Sequence, residues 1–313
     1  MELYRSLEDL EPDQNNFIAT GNFDGLHLGH QSIIKKLREL AKPVDGKVTL
    51  VSFHPHPRLV LKKQAAAKIE HLTTIEEKTA LLEKFGVDKF ILIPFTESFS
   101  KLTSEAFVSE ILCGKIGMKG IVIGRDHTFG RGGKGGFDTL QALAPTCGFQ
   151  VRQADDFSLN GNSVSSTLIR SCLSNGEIEA ANTFLGFNYP VFGRVTHGDG
   201  RGRTIGFPTA NVELGDDKLL PRRGVYCVSL ELEGSEHFGM ANIGVKPTFD
   251  GEKETLEAHI FDFDADIYTK GIKLFFHKRL RDEKKFTGVK ELIKQLEIDK
   301  NDSLRFFSAV RHK

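Results

Sequence analysis

Near the start of this chain a strand, a glycine-rich turn and a helix follow one another directly, and that order leaves few folds open. Asn16-Phe17-Ile18-Ala19-Thr20 is short, apolar and partly β-branched, as a buried strand should be. Ile33, Ile34, Leu37 and Leu40 then recur at helical spacing among Lys35, Lys36, Arg38 and Glu39. Between them lies Gly21-Asn22-Phe23-Asp24-Gly25-Leu26-His27-Leu28-Gly29-His30. Such a turn gathers backbone N–H groups and the positive end of a helix, an arrangement suited to phosphate. His27 and His30 are three apart, so one face can present both imidazoles, and Gly29 leaves room for a ligand to reach the backbone. Read alone, the pair fits a tight turn with two solvated histidines as well. A zinc site needs further ligands, and no Cys lies near.

The pattern continues as alternating strands and helices. Lys47–Phe53, Lys89–Ile93 and Gly120–Ile123 are apolar runs. Thr73 or Thr74, with Glu76 or Glu77 three on, makes a capping box ahead of Leu81, Leu82 and Phe85. Alternation of this kind predicts an α/β domain with a doubly wound, mostly parallel sheet, whose ligands sit beyond the carboxyl ends of the strands. The candidate motifs fall there. His54-Pro55-His56-Pro57 ends one strand, and Gly124–Gly130, with Asp126 and Phe129, leaves another. Ser165, Ser166 and Thr167 gather hydroxyls at a helix start, with Arg170 a turn later. They serve either as caps or as phosphate ligands.

After Asn188-Tyr-Pro190 the character changes. Val191–Thr196, Gly224–Glu233, Met240–Gly244, Glu254–Phe261 and Gly271–Phe276 are short, β-rich and separated by turns, which predicts a small β-barrel closed by helices near 289–296 and 303–310. The expected domains are 1–184 and 185–313. Gly198–Asn211 holds glycines and arginines, Gly202 and Arg203 among them, but no Walker A lysine. In Pro208-Thr209-Ala210-Asn211, Thr209 and Asn211 offer neutral oxygens that could complete an Mg²⁺ shell. Glu257 lies in a strand between apolar residues, where an isolated carboxylate is ordinarily an exposed alternating position.

Charge narrows the partners. Lys+Arg and Asp+Glu are both 42, so no global field recruits nucleic acid or an anionic membrane. No apolar run reaches the length of a spanning helix, and the first residues carry no leader pattern. Cys113, Cys147, Cys172 and Cys227 are scattered without CxxC pairing, as in a reducing compartment. The expectation is a soluble cytoplasmic protein, with no nucleic-acid or membrane partner.

Two resemblances sharpen this reading. The histidine turn resembles the HxGH signature of the nucleotidyltransferase superfamily. GNFDGLHLGHQ, FHPHP, IGRDHTFG and SSTLIR, over about 15–184, look like the N-terminal module of the bacterial bifunctional riboflavin kinase/FMN adenylyltransferases. GRTIGFPTANV, RRGVY, ANIGVKPTF, LEAHIFDFDADIYTKGI and RLRDEKKF, over about 187–312, look like that family's kinase module. The resemblance implies FMN made from riboflavin and ATP, then FAD and pyrophosphate made from FMN and a second ATP, with Mg²⁺ accompanying ATP. It casts His27 and His30 as catalytic, with Gly21, Phe23, Asp24, Gly29, Asp126, Ser165, Ser166, Thr167 and Arg170 around the nucleotide. His54, Pro55, His56, Pro57 and Phe129 would face the flavin. In the barrel it implies Glu257 as base, Gly202, Arg203, Pro208, Thr209 and Asn211 at ATP and Mg²⁺, and Arg281, Glu283 and Phe286 over the flavin. His127 stands where the family has an aromatic, and Gly136 where an acidic residue is common.

Overall fold

The computed structural model describes residues 1–11, 13–61, 70–198, 200–215, 217–248 and 251–311, with the side chains of 201, 246–248, 251–253 and 311 left aside. The chain forms two compact units, Met1–Ile69 with Lys78–Ser165, and Glu70–Glu77 with Ser166–Lys313.

The first unit is built on six strands, β1 (Glu2–Tyr4), β2 (Asn16–Thr20), β3 (Lys47–His54), β4 (Lys89–Pro94), β5 (Met118–Ile123) and β6 (Gln150–Gln153). They lie in the order β1-β4-β3-β2-β5-β6, every neighbouring pair parallel. The doubly wound parallel sheet expected of this half is therefore present. β2 is central and buried throughout, as its apolar sequence requires, with Phe17 and Ile18 wholly inaccessible. The chain winds outward from β2 through β3 and β4, then returns to place β5 on its other side. That reversal opens a crevice at the carboxyl ends of β2 and β5. Helix α1 (Leu28–Ala41) packs Ile34, Leu37 and Ala41 inward. The two edge strands β1 and β6 carry no unbroken apolar run and escape the sequence pattern.

In the second unit the strands β7 (Tyr189–Thr196), β8 (Ala210–Glu213), β9 (Gly224–Leu232), β10 (Ser235–Thr248), β11 (Gly251–Ile260) and β12 (Gly271–Arg281) close into an antiparallel barrel in the order β8-β11-β10-β9-β12-β7. Asn182, on the helix Ile178–Leu185, donates from Nδ2 to Phe276 O (2.8 Å) and accepts at Oδ1 from Tyr189 N (2.8 Å), tying that helix to β7 and β12. The C-terminal helix is one continuous element, Val289–Arg311, rather than the two expected. The polar stretch that suggested a break is internal bonding. Asp299, 2% exposed, receives Arg281 Nε and Nη2 (3.0 and 2.7 Å), and Ser303 Oγ donates back to Asp299 O (2.8 Å).

The capping box forms between Thr74 and Glu77, with Thr74 N to Glu77 Oε2 at 2.9 Å and Glu77 N to Thr74 Oγ1 at 3.2 Å. Glu77 does more than cap. Its Oε2 also accepts from Lys218 Nζ (2.7 Å) and its Oε1 from Phe192 N (2.8 Å), with both charged side chains fully buried. Lys218 Nζ donates to Leu72 O (2.7 Å) and sits 4.2 Å over the Tyr189 ring. Buried charges so saturated are tolerable, but removing one strands the other. Glu77→Gln and Lys218→Met should each destabilise the barrel by about 3–5 kcal/mol. In the double variant the loss should fall at least about 1 kcal/mol short of the sum. Urea unfolding followed by tyrosine fluorescence checks this, and strictly additive losses would show that the pair is not coupled.

Candidate active sites

The first site grows from the end of β2. Gly21 N still donates to Val51 O (3.0 Å), after which the chain turns sharply. Phe23 and Leu26 take left-handed φ of 48° and 43°, each costing on the order of 1–2 kcal/mol in a non-glycine residue. The turn is held by Leu26 N to Phe23 O (3.3 Å) and Gln31 Nε2 to Leu26 O (2.8 Å). His27 then caps α1, accepting His30 N at Nδ1 (3.4 Å). An accepting Nδ1 leaves the neutral ring's proton on Nε2 as a donor. The two imidazoles stack at 3.7 Å between centroids, inclined by 21°, and Phe23 meets His30 edge-on at 5.3 Å. His30 Nδ1 is enclosed and has no hydrogen-bond partner.

Two groups join this site that sequence reasoning did not put there. His127, noted only as a departure from a family pattern, shares a hydrogen bond with Thr20 Oγ1 (Nε2 to Oγ1 2.9 Å), linking the ends of β5 and β2. Lys78, buried at 6% exposure on the helix Ile75–Lys84, donates from Nζ to Asn22 O (2.7 Å). Its sequence signal was a lysine beside the capping glutamate, which reads as a solvated position. Burial pushes His27 down to about 4, with Asp24 working against it, and pushes His127 down to about 4. His30 is driven well below the ordinary range by burial, then by His27, Lys78 and His127. Asp24, 3% exposed, is the carboxylate that opposes these shifts at His27 and Lys78.

The Val164 carbonyl lies 3.6 Å from where a Cβ on Gly29 would be, so the segment entering Ser165 runs past the histidine turn. His54, the exposed last residue of β3, is followed by exposed Pro55, His56 Nδ1 accepts from Arg58 N (3.1 Å), and Pro57 opens a short helix. Asp126 is exposed, whereas Phe129 is buried in the core and packs on Phe107 at 5.8 Å. Ser166, Thr167 and Arg170 lie on the helix Ser166–Asn175, which belongs to the second unit.

The second site is a row across three barrel strands. Glu257 on β11 is directly opposite Asn211 on β8 and Asn242 on β10. Directly opposed residues share a face, so one carboxylate is flanked by two amides. Asn242 was missed because only strand register, not spacing along the chain, brings it to Glu257. A Cβ on Gly198 would lie 1.9 Å from Asn211 Nδ2, so that loop can close over Asn211 only as glycine. A Cβ on Gly244 would lie 2.4 Å from Glu283 Oε1, which places Glu283 beside the Asn242 strand. The loop before β8 is fixed by Phe207 N to Gly202 O (2.9 Å) and by His259 Nδ1 donating to Pro208 O (2.7 Å); Arg203, Pro208 and Thr209 are exposed on it. Arg222, Arg223, Glu254, Asp282 and Glu283 line a cleft of about 460 Å³. Arg281 is committed to Asp299, and its guanidinium lies 5.8 Å over Phe286.

A parallel-sheet unit with an imidazole pair at the end of its buried strand β2, and a closed barrel with one carboxylate between two amides, have the build of a two-domain transferase of nucleotidyltransferase and flavokinase type. A family model described as FAD synthetase matches residues 9–168, and one described as riboflavin kinase matches residues 185–307. The chain belongs to the family of bifunctional riboflavin kinase/FMN adenylyltransferases. It is 38% identical to the member from Bacillus subtilis, over 96% of this chain and 95% of that one. It is 34% identical to the Escherichia coli K12 member, over 99% of both. A crystal structure titled macrolide-efflux protein from Streptococcus pneumoniae superposes with a TM-score of 0.88 at 31% identity, covering 96% of this chain and 97% of that one. Among the described residues no helix is long and apolar enough to cross a membrane.

The depressed histidines predict acid sensitivity of the first unit. Between about pH 6.5 and 4 the unfolded chain binds protons that folded His27 and His127 refuse. Stability therefore falls as pH drops through that window, by on the order of 2–3 kcal/mol per group at its lower end. His127→Asn, which keeps a partner for Thr20, should flatten the loss in urea midpoints measured between pH 7 and 4.5. An unchanged slope would contradict the assignment.

Proposed function

We propose that the two sites divide the chemistry of this chain, the barrel row serving phosphoryl transfer and the histidine turn serving adenylyl transfer. The chain makes FMN from riboflavin and FAD from FMN, as its family does. The observation that carries the division is the contrast in charge. The barrel site centres on a carboxylate, Glu257, between neutral amides, whereas the turn collects nitrogen bases.

In the barrel, Glu257 takes the proton of the riboflavin 5′-hydroxyl as that oxygen attacks the γ-phosphorus of ATP, the bond from that phosphorus to the β-phosphate oxygen breaks and ADP leaves. Thr209 and Asn211 would hold Mg²⁺ through neutral oxygens, and the ion would supply positive charge to the ATP phosphates. Gly202, Arg203 and Pro208 shape the loop over them, and Arg281 steadies the segment carrying Glu283 and Phe286 at the flavin. In the first unit, the FMN phosphate attacks the α-phosphorus of ATP and pyrophosphate leaves. That nucleophile is already ionised, so no base is required. His27 and His30 stabilise charge on the phosphate oxygens, His27 through its Nε2–H. Flavin is substrate and product here. The domain boundary near 185 is likewise a proposal, with 1–184 carrying the adenylyltransferase and 185–313 the kinase.

Single substitutions separate the two assignments. Glu257→Gln should lower FMN formation by on the order of a hundred- to ten-thousand-fold and leave FAD formation from supplied FMN near wild type. His30→Ala should slow FAD formation roughly a hundredfold with riboflavin phosphorylation intact. Separating the flavins made from riboflavin or from FMN with Mg-ATP reads both. Parallel loss of both activities in either variant would overturn the division.

A further inference from the structure

Lys78 and Lys218 are both buried lysines, and the contrast between them is informative. Lys218 is saturated: its ammonium has a carboxylate, a carbonyl and an aromatic face. Lys78 is as buried, at 6% against 5% exposure, yet its hydrogen bond goes to a single neutral acceptor, Asn22 O. An ammonium carries three donors, and a buried cation without compensating acceptors is strongly disfavoured. Lys78 also lies close enough to His30 to depress its protonation, and His30 Nδ1 itself is enclosed and unpartnered. Among the described residues, the charged and titratable groups that act on them are Asp24, His27, His30 and His127. One carboxylate cannot neutralise a lysine and leave a charge for developing imidazolium. The site is built short of negative charge, and a polyphosphate is the ligand class that supplies it.

We propose that Lys78 is a phosphate-binding residue of the adenylyl-transfer site, taking oxygens of the ATP polyphosphate beside His30 with the ammonium donors that Asn22 leaves free. The proposal rests on the assignment of this site to adenylyl transfer. A purely structural latch on Asn22 would hold the strained Phe23–Leu26 turn and nothing more. The two roles differ in their pH behaviour. Burial lowers Lys78 to about 8, with Asp24 opposing the shift, while the histidines titrate far below that. A phosphate ligand therefore gives kcat/KM for ATP that is full below about pH 8 and falls above it, because this ratio reports the free enzyme. A latch gives no such limb in the ATP dependence.

The test uses the full chain and its Lys78→Met and Lys78→Arg variants, with FAD formation from FMN measured across Mg-ATP concentration and pH 6.5–9.5. Riboflavin phosphorylation and near-ultraviolet circular dichroism control for folding. Lys78→Met should lower kcat/KM for ATP by roughly a hundredfold at pH 7 and abolish the alkaline limb. Lys78→Arg should recover most of the loss and carry the limb out of range. A folded Lys78→Met with a kcat/KM for ATP within about twofold of wild type, or with the limb retained, overturns the proposal. If Lys78→Met does not fold, the wild-type and Lys78→Arg profiles decide: absence of a limb near pH 8 in wild type, or its persistence in Lys78→Arg, overturns it. If His30→Ala keeps full FAD formation, the adenylyl assignment itself has failed. If His30→Ala loses it and Lys78→Met does not, only the role of Lys78 has failed.

Discussion

Buried nitrogen bases repel one another's protons, and the first unit of this enzyme concentrates four of them at one end of a parallel sheet. His27, His30, His127 and Lys78 all have their protonation suppressed by burial, with Asp24 the carboxylate in opposition. Much of the local architecture serves that arrangement. The wholly buried β2 delivers the turn, two left-handed residues bend it, and Asn22 O receives Lys78. Without an anion the imidazoles are neutral. On the assignment proposed for this site, phosphates would meet the same low dielectric that suppresses charge, and each contact to them would be strengthened by it. The cost of assembling the site is met by folding, before the reaction begins, which is what preorganisation requires.

The barrel solves a different problem with different materials. Phosphoryl transfer to a hydroxyl needs a proton acceptor and a metal whose charge is not spent on the protein. On the assignment proposed for the barrel, Glu257 would be that acceptor; register sets it between Asn211 and Asn242. The barrel's own buried charges, Glu77 with Lys218 and Arg281 with Asp299, are paired and hydrogen-bonded. They hold elements together.

The sequence conveyed the fold class because its periods are clean. Alternating apolar runs and helical stripes specify the parallel sheet, and the shift to short strands after Pro190 specifies the barrel. The histidine turn was equally readable, since it falls between a strand and a helix whose patterns are unambiguous. What stayed hidden depends on distance through space. Lys78 looks like one more charge on a helix until packing buries it. Glu77 reads as a capping residue and turns out to be half of an ion pair with a partner far along the chain. Asn242 gains meaning only from strand register. The interrupted C-terminal helix was an error of the same kind, because Asp299 and Ser303 look like a break when their partners are unseen.

The central claim is that burial keeps the imidazole pair neutral until phosphate arrives. It is tested most directly by titrating His27 and His30 through their imidazole resonances, in the free enzyme and with saturating Mg-ATP. The account predicts that free His27 titrates near 4 and His30 well below the ordinary imidazole range, and that both midpoints rise by at least about one unit in the complex. Ordinary midpoints near 6.5 in the free enzyme, or no change on adding Mg-ATP, would contradict it.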